Sequence, residues 1–224
     1  MPAWSRPTRA AGLTPSLVVG VNGSLSIDDD IIGTAELVID GGVAFEDNDY
    51  AFLALLQIEE GLRWIDPEIG DALPLQKSSD RFRLDLLYTY ELTRAVGPYA
   101  RAGVEASLLP STVTTTEDIT VAFAGSDGDV RLRDIDAGTA FRTAEPFGRS
   151  LFFEGAGINA WLARSDRGQL RLGAGMGFRQ GVHRRLFVEV PVPDDTPEPA
   201  PDRRYEQVDD FFQEGVEALL TGRM

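Results

Sequence analysis

Hydrophobic and polar residues alternate with a period of two over long stretches of this chain. In the clearest stretch, 82–93, every even position is apolar or aromatic, and the odd positions include Arg83, Asp85 and Glu91. Successive side chains of a β-strand point to opposite faces of the sheet, so this pattern is typical of a strand with one apolar and one polar face. The alternation therefore predicts a β-strand of at least ten residues.

Six further stretches repeat this alternation, some with weaker contrast between the two faces. They are 17–27, 36–46, 50–64, 99–108, 152–163 and 169–179. The tail from Tyr205 to Thr221 fits both a strand and the apolar stripe of a helix, and we interpret it as an eighth strand. The sequence thus predicts an all-β protein with about eight strands.

The links between these strands alternate between short and long. Short links are expected at 46–49, 95–98 and 165–168, and long loops at 66–80, 110–147 and 181–204. Only the first link, 28–33, is of intermediate length. Short turns on one rim and longer loops on the other are typical of outer-membrane barrels. We predict an antiparallel up-and-down transmembrane β-barrel, with a disordered segment at 1–14 and one barrel domain at 15–222.

Closure of a sheet in a membrane directs one face to lipid and the other to the lumen, since every backbone polar group must be paired. The polar positions then belong to a structural lumen network. We assign to this network Arg83, Asp85, Glu91, Arg101, Glu105, Asn159, Arg171 and Arg179.

Two registers follow from the expected turns. A three-residue loop at 95–97 would place Glu91 directly opposite Arg101. A tight turn at 165–168 would place Trp161 across from Arg171 or Gly173, where its ring stacks on the guanidinium or covers the glycine. Glycines on the same face would leave space for larger side chains; they are Gly155, Gly157, Gly173, Gly175 and Gly177.

Two runs of sequence carry a family resemblance. RFRLDLLYTYELTRAVGPYARAGVEASLLPS and FFEGAGINAWLARSDRGQLRLGAGMGFRQ resemble the hairpins of uncharacterised bacterial outer-membrane barrel families and, more broadly, of small OmpA-like and OmpX-like barrels. The resemblance covers roughly residues 15–180 and rests on pattern, without a signature motif. It implies a location in the bacterial outer membrane, with outer-membrane lipid, lipopolysaccharide and the barrel-assembly machinery as partners.

The ends of the chain depart from that family pattern. The N-terminal residues lack the apolar core of a signal peptide, and the last residues read LLTGRM instead of ending on an aromatic residue. We therefore expect the chain to be a fragment of a barrel that lacks C-terminal strands. In one interpretation the full protein forms a larger barrel, and its strand count is unknown.

Composition narrows the function classes. The formal net charge is -15, whereas nucleic-acid binding requires clustered Lys and Arg, so we expect no nucleic-acid partner. There is no cysteine for a disulfide or thiolate metal site, and the single histidine is His183. No window approaches the ~20 apolar residues of a transmembrane helix. These features disfavour a helical membrane protein and a metalloenzyme.

Acidic clusters and carboxylate pairs have structural interpretations. The clusters at 28–30, 46–49 and 127–136 lack the spacing of a calcium loop, and we interpret them as solvated turns without a metal. The carboxylates of the lumen network lie near arginines, which favours ion pairing over acid–base chemistry. Ser24 and Ser107 have no suitable histidine partner, since His183 lies beyond the end of its strand. We assign no catalytic residue and no cofactor.

The leading hypothesis is an outer-membrane barrel with a structural, adhesive or passive-permeation role and no enzymatic activity. An eight-stranded barrel is just wide enough to be filled by side chains, so a pore would require more strands. The main alternative is a soluble lipocalin-like barrel or β-sandwich that binds an apolar ligand, with the apolar face turned inward. A third hypothesis is an outer-membrane hydrolase, which the lack of a histidine partner disfavours.

Overall fold

The structure, a computed structural model, describes residues 11–27, 30–47, 49–67, 73–93, 95–165, 168–193, 196 and 199–223. These residues form strands and connecting segments without a helix. The strands, in chain order, are β1 (Gly12–Ile27), β2 (Asp30–Glu46), β3 (Tyr50–Pro67), β4 (Leu73–Tyr90), β5 (Val96–Ala106), β6 (Ser111–Thr114), β7 (Ile119–Ala124), β8 (Val130–Ile135), β9 (Ala140–Ala144), β10 (Arg149–Ser165), β11 (Gly168–His183), β12 (Phe187–Val190), β13 (Arg203–Gln207) and β14 (Phe211–Arg223).

Eight of these strands form one large antiparallel sheet, in the order β1-β2-β3-β4-β5-β10-β11-β14. The predicted all-β class and the antiparallel order are confirmed, including a strand in the ambiguous tail. No pairing between β1 and β14 is found among the described residues. The sheet is therefore open at the place where a barrel would close.

On one face of the large sheet, the strand register places apolar residues beside apolar residues of the neighbouring strands. Leu84 lies opposite Val104, and Val104 lies opposite Phe152. These side chains belong to a face that is widely exposed; on β14, for example, Val216 is 91% exposed. Two carboxylates interrupt this face, since Glu154 and Glu214 flank Phe178. We call this the apolar face of the sheet.

Aromatic side chains on the apolar face cluster at two levels. Near the short turns, the Tyr50 ring lies 5.6 Å from Phe45 and 6.4 Å from Tyr88. Near the opposite ends of the strands, Phe178 stacks on Phe212 at 6.0 Å. We call these clusters the lower and the upper aromatic belt.

The expected loops contain more regular structure than predicted. β3 runs to Pro67 and β4 begins at Leu73, so most of the expected loop 66–80 is strand, and 68–72 lie outside the described residues. Both strands extend well beyond the alternating core that the sequence shows. At the N-terminus, Gly12 already belongs to β1, while residues 1–10 of the segment expected to be disordered lie outside the described part.

The other two expected loops build a second structure, which we call the cap (residues 107–148 and 184–210). It contains a four-stranded sheet in the order β12-β13-β7-β8 and the pair β6-β9. A parallel pairing of β13 with β7, in which Arg203 lies opposite Val121, is one of the contacts that join its two segments. Pairings between such distant segments leave no local period in the sequence.

The cap has a small, well-packed hydrophobic core. Val121, Ile135, Phe141 and Tyr205 are each at most 2% exposed. The Phe141 ring makes edge-to-face contacts with Phe123 at 5.8 Å and with Tyr205 at 5.5 Å. Aromatic pairs of this kind contribute beyond the area they bury.

Replacing Phe141 by alanine is expected to destabilise the cap by about 3–5 kcal/mol, because it leaves a cavity among aromatic rings. Amide hydrogen exchange in β7 and β9 measures the effect. The matched control is Leu132→Ala on β8, since Leu132 is 56% exposed and its loss is expected to cost less than about 0.5 kcal/mol. Equal loss of protection in both variants would contradict this account of the core.

Candidate functional site

The polar face of the large sheet is concave, because side chains on strands that are not neighbours touch one another. Arg171 on β11 donates from Nη1 to Oγ1 of Thr89 on β4, at 2.6 Å. Tyr99 on β5 donates to Oε1 of Glu217 on β14, at 3.4 Å. Two strands separate the members of each pair in the sheet order. Such contacts require a strongly curved sheet, with the polar side chains gathered inside the curve.

One cluster within this concave face is centred on Arg171. Its Nη2 lies 2.9 Å from Oε1 of Glu91, and its guanidinium carbon lies 3.6 Å from the centre of the Trp161 ring. Trp161 donates from its indole nitrogen to the same Glu91 oxygen at 3.1 Å. The Arg171 and Glu91 side chains are only 11% and 16% exposed. This packing fixes the ion pair within a shielded environment.

The register around Trp161 explains part of that cluster. Trp161 pairs directly with Arg171 across the β10–β11 hairpin, which confirms one of the two predicted positions for Trp161. The other predicted register is wrong, because Arg101 pairs with Leu87 instead of Glu91. β4 ends at Tyr90, and Thr93 then closes a turn by accepting a hydrogen bond from the Val96 amide at 3.0 Å.

A second cluster joins Arg83, Asp85 and Arg101. Arg83 Nε lies 2.6 Å from one Asp85 oxygen, and Arg101 Nη2 lies 2.9 Å from the other. Arg101 also lies 4.0 Å from Oε1 of Glu217, and its guanidinium carbon lies 4.8 Å from the centre of the Phe153 ring. One carboxylate therefore holds two guanidinium groups side by side.

Large side chains from other strands cover three of the inner glycines, namely Gly155, Gly173 and Gly177, whereas Gly157 and Gly175 lie against neighbouring backbone. A Cβ atom added at Gly155 would lie 2.5 Å from Oε2 of Glu217, and one added at Gly173 would lie 3.1 Å from the Tyr99 ring. The small residues therefore leave space that Glu217 and Tyr99 occupy. This agrees with the space-making role expected of these glycines.

Two of the cavities along the concave face adjoin the two clusters. The upper cavity, about 600 Å³ in volume, is lined by Arg83, Arg101, Glu105, Arg179 and Glu217, among others. The lower cavity, about 310 Å³, is lined by the Trp161 and Arg171 cluster and by Leu53, Leu87 and Thr221. Along β4 and β14, Asp85 and Leu219 lie between the residues of the two cavities. Tyr99, which is only 3% exposed, lies over Gly173, between Arg171 of the lower cavity and Gly177 of the upper cavity on β11.

The remaining members of the predicted lumen network have different surroundings. Glu105 pairs with Nη2 of Arg81 at 3.1 Å. Asn159 is 6% exposed and donates to the Pro98 carbonyl at 3.4 Å. Arg179 is exposed beside the upper cavity. All eight predicted residues thus lie on the polar face, although not in one continuous network.

Four residues contribute to the site although the sequence did not assign them to it. They are Arg81, Thr89, Tyr99 and Glu217. Val216 and Glu217 alternate as the two faces of a strand would, but the tail also fitted the apolar stripe of a helix. The sequence therefore did not assign Glu217 to the polar face of a strand. Tyr99 looked like an aromatic residue at a strand end. The curvature of the sheet brings Thr89, Tyr99 and Glu217 to partners on distant strands, whereas Arg81 reaches Glu105 on the neighbouring strand.

The described acidic and hydroxyl groups considered for other chemistry have local partners. Asp127 accepts a hydrogen bond from the Asp129 amide, and His183 Nδ1 lies 2.8 Å from the Asp209 carbonyl. Ser107 Oγ accepts from the Arg149 amide at 3.3 Å. Within the described residues, no group of three or more metal ligands is found. Asp28 and Asp29 of the first acidic cluster lie outside the described residues.

The described part of the chain contains no helix long and apolar enough to span a membrane. Comparisons of the chain with protein-family models, with curated proteins and with solved structures found no match.

Proposed function

We propose that this chain is an outer-membrane β-barrel protein with a blocked lumen and a structural or adhesive role carried by its cap. The observation that carries the proposal is the exposed apolar face, which continues across all eight strands of the large sheet opposite a charged concave face. Large exposed apolar surfaces on soluble proteins promote association, whereas lipid is a matching solvent for them.

The same observation argues against the alternative of a lipocalin-like protein. A soluble barrel that binds an apolar ligand would turn its apolar side chains inward and its polar side chains towards water. Here the inner side chains include paired arginines and carboxylates, and apolar residues such as Val216 and Ile158 are exposed outward. The upper cavity, which these charged side chains line, is consequently a poor site for an apolar ligand.

Closure of the barrel is the second part of the proposal. In lipid, the free backbone groups of β1 and β14 would each cost several kcal/mol if unpaired. In an up-and-down sheet of eight strands the first and last strands run antiparallel, so β1 and β14 are suited to pair with each other. We therefore propose that the sheet closes between these two edges in the bilayer.

The blocked lumen distinguishes among the roles considered for a barrel. The layer of Asp85, Tyr99 and Leu219 lies between the two cavities, and the Arg171 cluster lines the lower one. Ions or solutes would have to displace paired side chains to pass. A structural or adhesive role, with the cap as the part outside the membrane, therefore fits better than passive permeation.

Heat-modifiability on a gel tests this proposal. The chain is refolded into detergent micelles and, in parallel, into plain buffer, and each sample is run with and without boiling. We expect a faster-migrating folded band only in the detergent sample. A monomeric, soluble, β-rich protein in plain buffer would refute the membrane assignment.

Charge on the apolar face provides a sharper test in the folded protein. Val216→Arg, midway along β14, is expected to destabilise the protein in vesicles by about 2–4 kcal/mol, because the guanidinium would enter the hydrocarbon region. The control is Gln213→Arg, which places the same group beside the upper cavity on the same strand and is expected to change stability by less than about 0.5 kcal/mol. Urea unfolding measures both variants, and equal losses would contradict the assigned faces.

A further inference from the structure

A third cavity, of about 300 Å³, lies where the polar face of the large sheet meets the cap. Basic and hydroxyl side chains from four separate parts of the chain surround it. They are Lys77, Ser79, Arg81, Ser107, Ser111 and Arg149. Three cationic groups thus lie at one cavity of a chain whose formal net charge is -15.

The carboxylates beside this cavity offset only part of its positive charge. Asp80 lies 2.7 Å from Lys77 Nζ, and it also accepts hydrogen bonds from the amides of Leu108 and Leu109, at 2.6 Å and 3.0 Å. Its negative charge is therefore shared among three donors. Glu105 takes a single hydrogen bond from Arg81. The Arg149 side chain forms no ion pair among the described residues, so the three cations of the lining exceed its two carboxylates by one. Glu60, which pairs with Asp80, is a third carboxylate nearby but does not line the cavity.

Hydrogen-bond donors at the cavity also exceed the acceptors. Arg81 Nε is buried and meets no acceptor among the described residues. Lys77 Nζ lies 2.9 Å from Ser111 Oγ, which brings a hydroxyl group next to the ammonium. A buried donor without an acceptor costs about 1–3 kcal/mol. The missing component is a group that offers several acceptor atoms and negative charge.

We propose that this cavity binds a phosphoryl group, either as free phosphate or as a phosphorylated lipid headgroup. A tetrahedral oxyanion presents acceptor oxygens in several directions, which matches cations and hydroxyls that arrive from β4, the start of β10 and the links to the cap. Charge-assisted hydrogen bonds of this kind are about twice as strong as neutral ones. The proposal rests on the cavity and does not depend on the membrane assignment.

Isothermal titration with inorganic phosphate tests the site in the medium in which the full chain folds. We expect saturable binding to the unaltered protein, and binding weakened by about tenfold or more in the double variant Arg81→Gln/Arg149→Gln. The matched control, Arg131→Gln on the exposed strand β8, is expected to bind as the unaltered protein does. No saturable binding, or equal affinity in all three proteins, would overturn the proposal.

A second variant and a second medium complete the test. If circular dichroism shows that the double variant is misfolded, Arg149→Gln alone replaces it, because Arg149 is exposed and makes no ion pair in the described structure; unaltered affinity there would also overturn the proposal. The titration is then repeated in phosphatidylcholine vesicles with and without phosphatidic acid. Weaker apparent binding of phosphate with phosphatidic acid identifies a lipid headgroup as the ligand, and unchanged binding identifies free phosphate.

Discussion

Replacing Arg171 by methionine is expected to destabilise the folded protein by about 3–5 kcal/mol, since the change removes the guanidinium from a shielded ion pair with Glu91. Methionine keeps much of the volume of the arginine stem, so the lost charge dominates the effect. The Trp161 ring also loses its stacking on the guanidinium. Urea unfolding followed by tryptophan fluorescence measures the change.

Two further variants separate this effect from a general loss of packing. The double variant Arg171→Met/Glu91→Gln is expected to recover most of the lost stability, because the shielded carboxylate charge is removed together with the guanidinium. Arg179→Met on the same strand and the same face is the matched control, and since Arg179 is exposed it is expected to cost less than about 0.5 kcal/mol. A similar cost at Arg171 and Arg179 would mean that the cluster contributes little.

Glu60→Gln is expected to stabilise the protein at alkaline pH and to leave it nearly unchanged under acidic conditions. Glu60 pairs with Asp80 across β3 and β4, and Asp80 accepts hydrogen bonds from the Leu108 and Leu109 amides of the cap. We place this junction outside the proposed membrane-spanning part of the sheet, because β4 here lies past the last residue of β5, Ala106. Burial raises the pKa of Glu60 from 4.5 to about 7, and the neighbouring Asp80 carboxylate adds to this shift. The Lys77 ammonium acts in the opposite direction and lowers the pKa. Neither of its oxygens meets a donor among the described residues.

The direction of the pH dependence follows from this shift. Between pH 4.5 and about 7 the folded protein retains a proton on Glu60 that the unfolded chain has released, so the stability of the unaltered protein falls as the pH rises. Above that interval the full penalty of a buried charge remains, and glutamine is expected to recover about 1–3 kcal/mol.

Unfolding free energies at a series of pH values measure the effect. The control Glu117→Gln, at an exposed position of the cap, is expected to keep the pH profile of the unaltered protein. Parallel profiles for Glu60→Gln and the unaltered protein would contradict the assignment of this pH dependence to Glu60.

Several features of the fold could be predicted because they depend on local periodicity. The alternation of residues in 82–93 predicted a strand with two distinct faces, and 82–90 belong to β4. The tight turn expected at 165–168 correctly placed Trp161 opposite Arg171. The register of the preceding hairpin was predicted wrongly, since it depended on an assumed loop at 95–97. Thr93 closes that turn earlier, so Glu91 lies past the end of β4.

The cap shows where periodicity gives no information. Its strands are four to six residues long, and β13 pairs in parallel with β7, far away in the sequence. In so short a strand, the alternation of apolar and polar residues cannot be distinguished from chance. The Pro-rich and Asp-rich composition of the cap segments is also typical of loops. Phe123, Phe141 and Tyr205 therefore gave no sign that they share one core.

The sequence by itself determined the all-β class, the long alternating strands and which side chains share the polar face, because each depends on a period of two along one strand. Only the tertiary structure decided which charges pair. The curvature of the sheet carries Glu91 to Arg171 and Glu217 to Tyr99 across intervening strands. The tertiary structure also brings Lys77, Arg81 and Arg149 to one cavity, because the chain leaves β5 for the cap and returns into β10 beside β4.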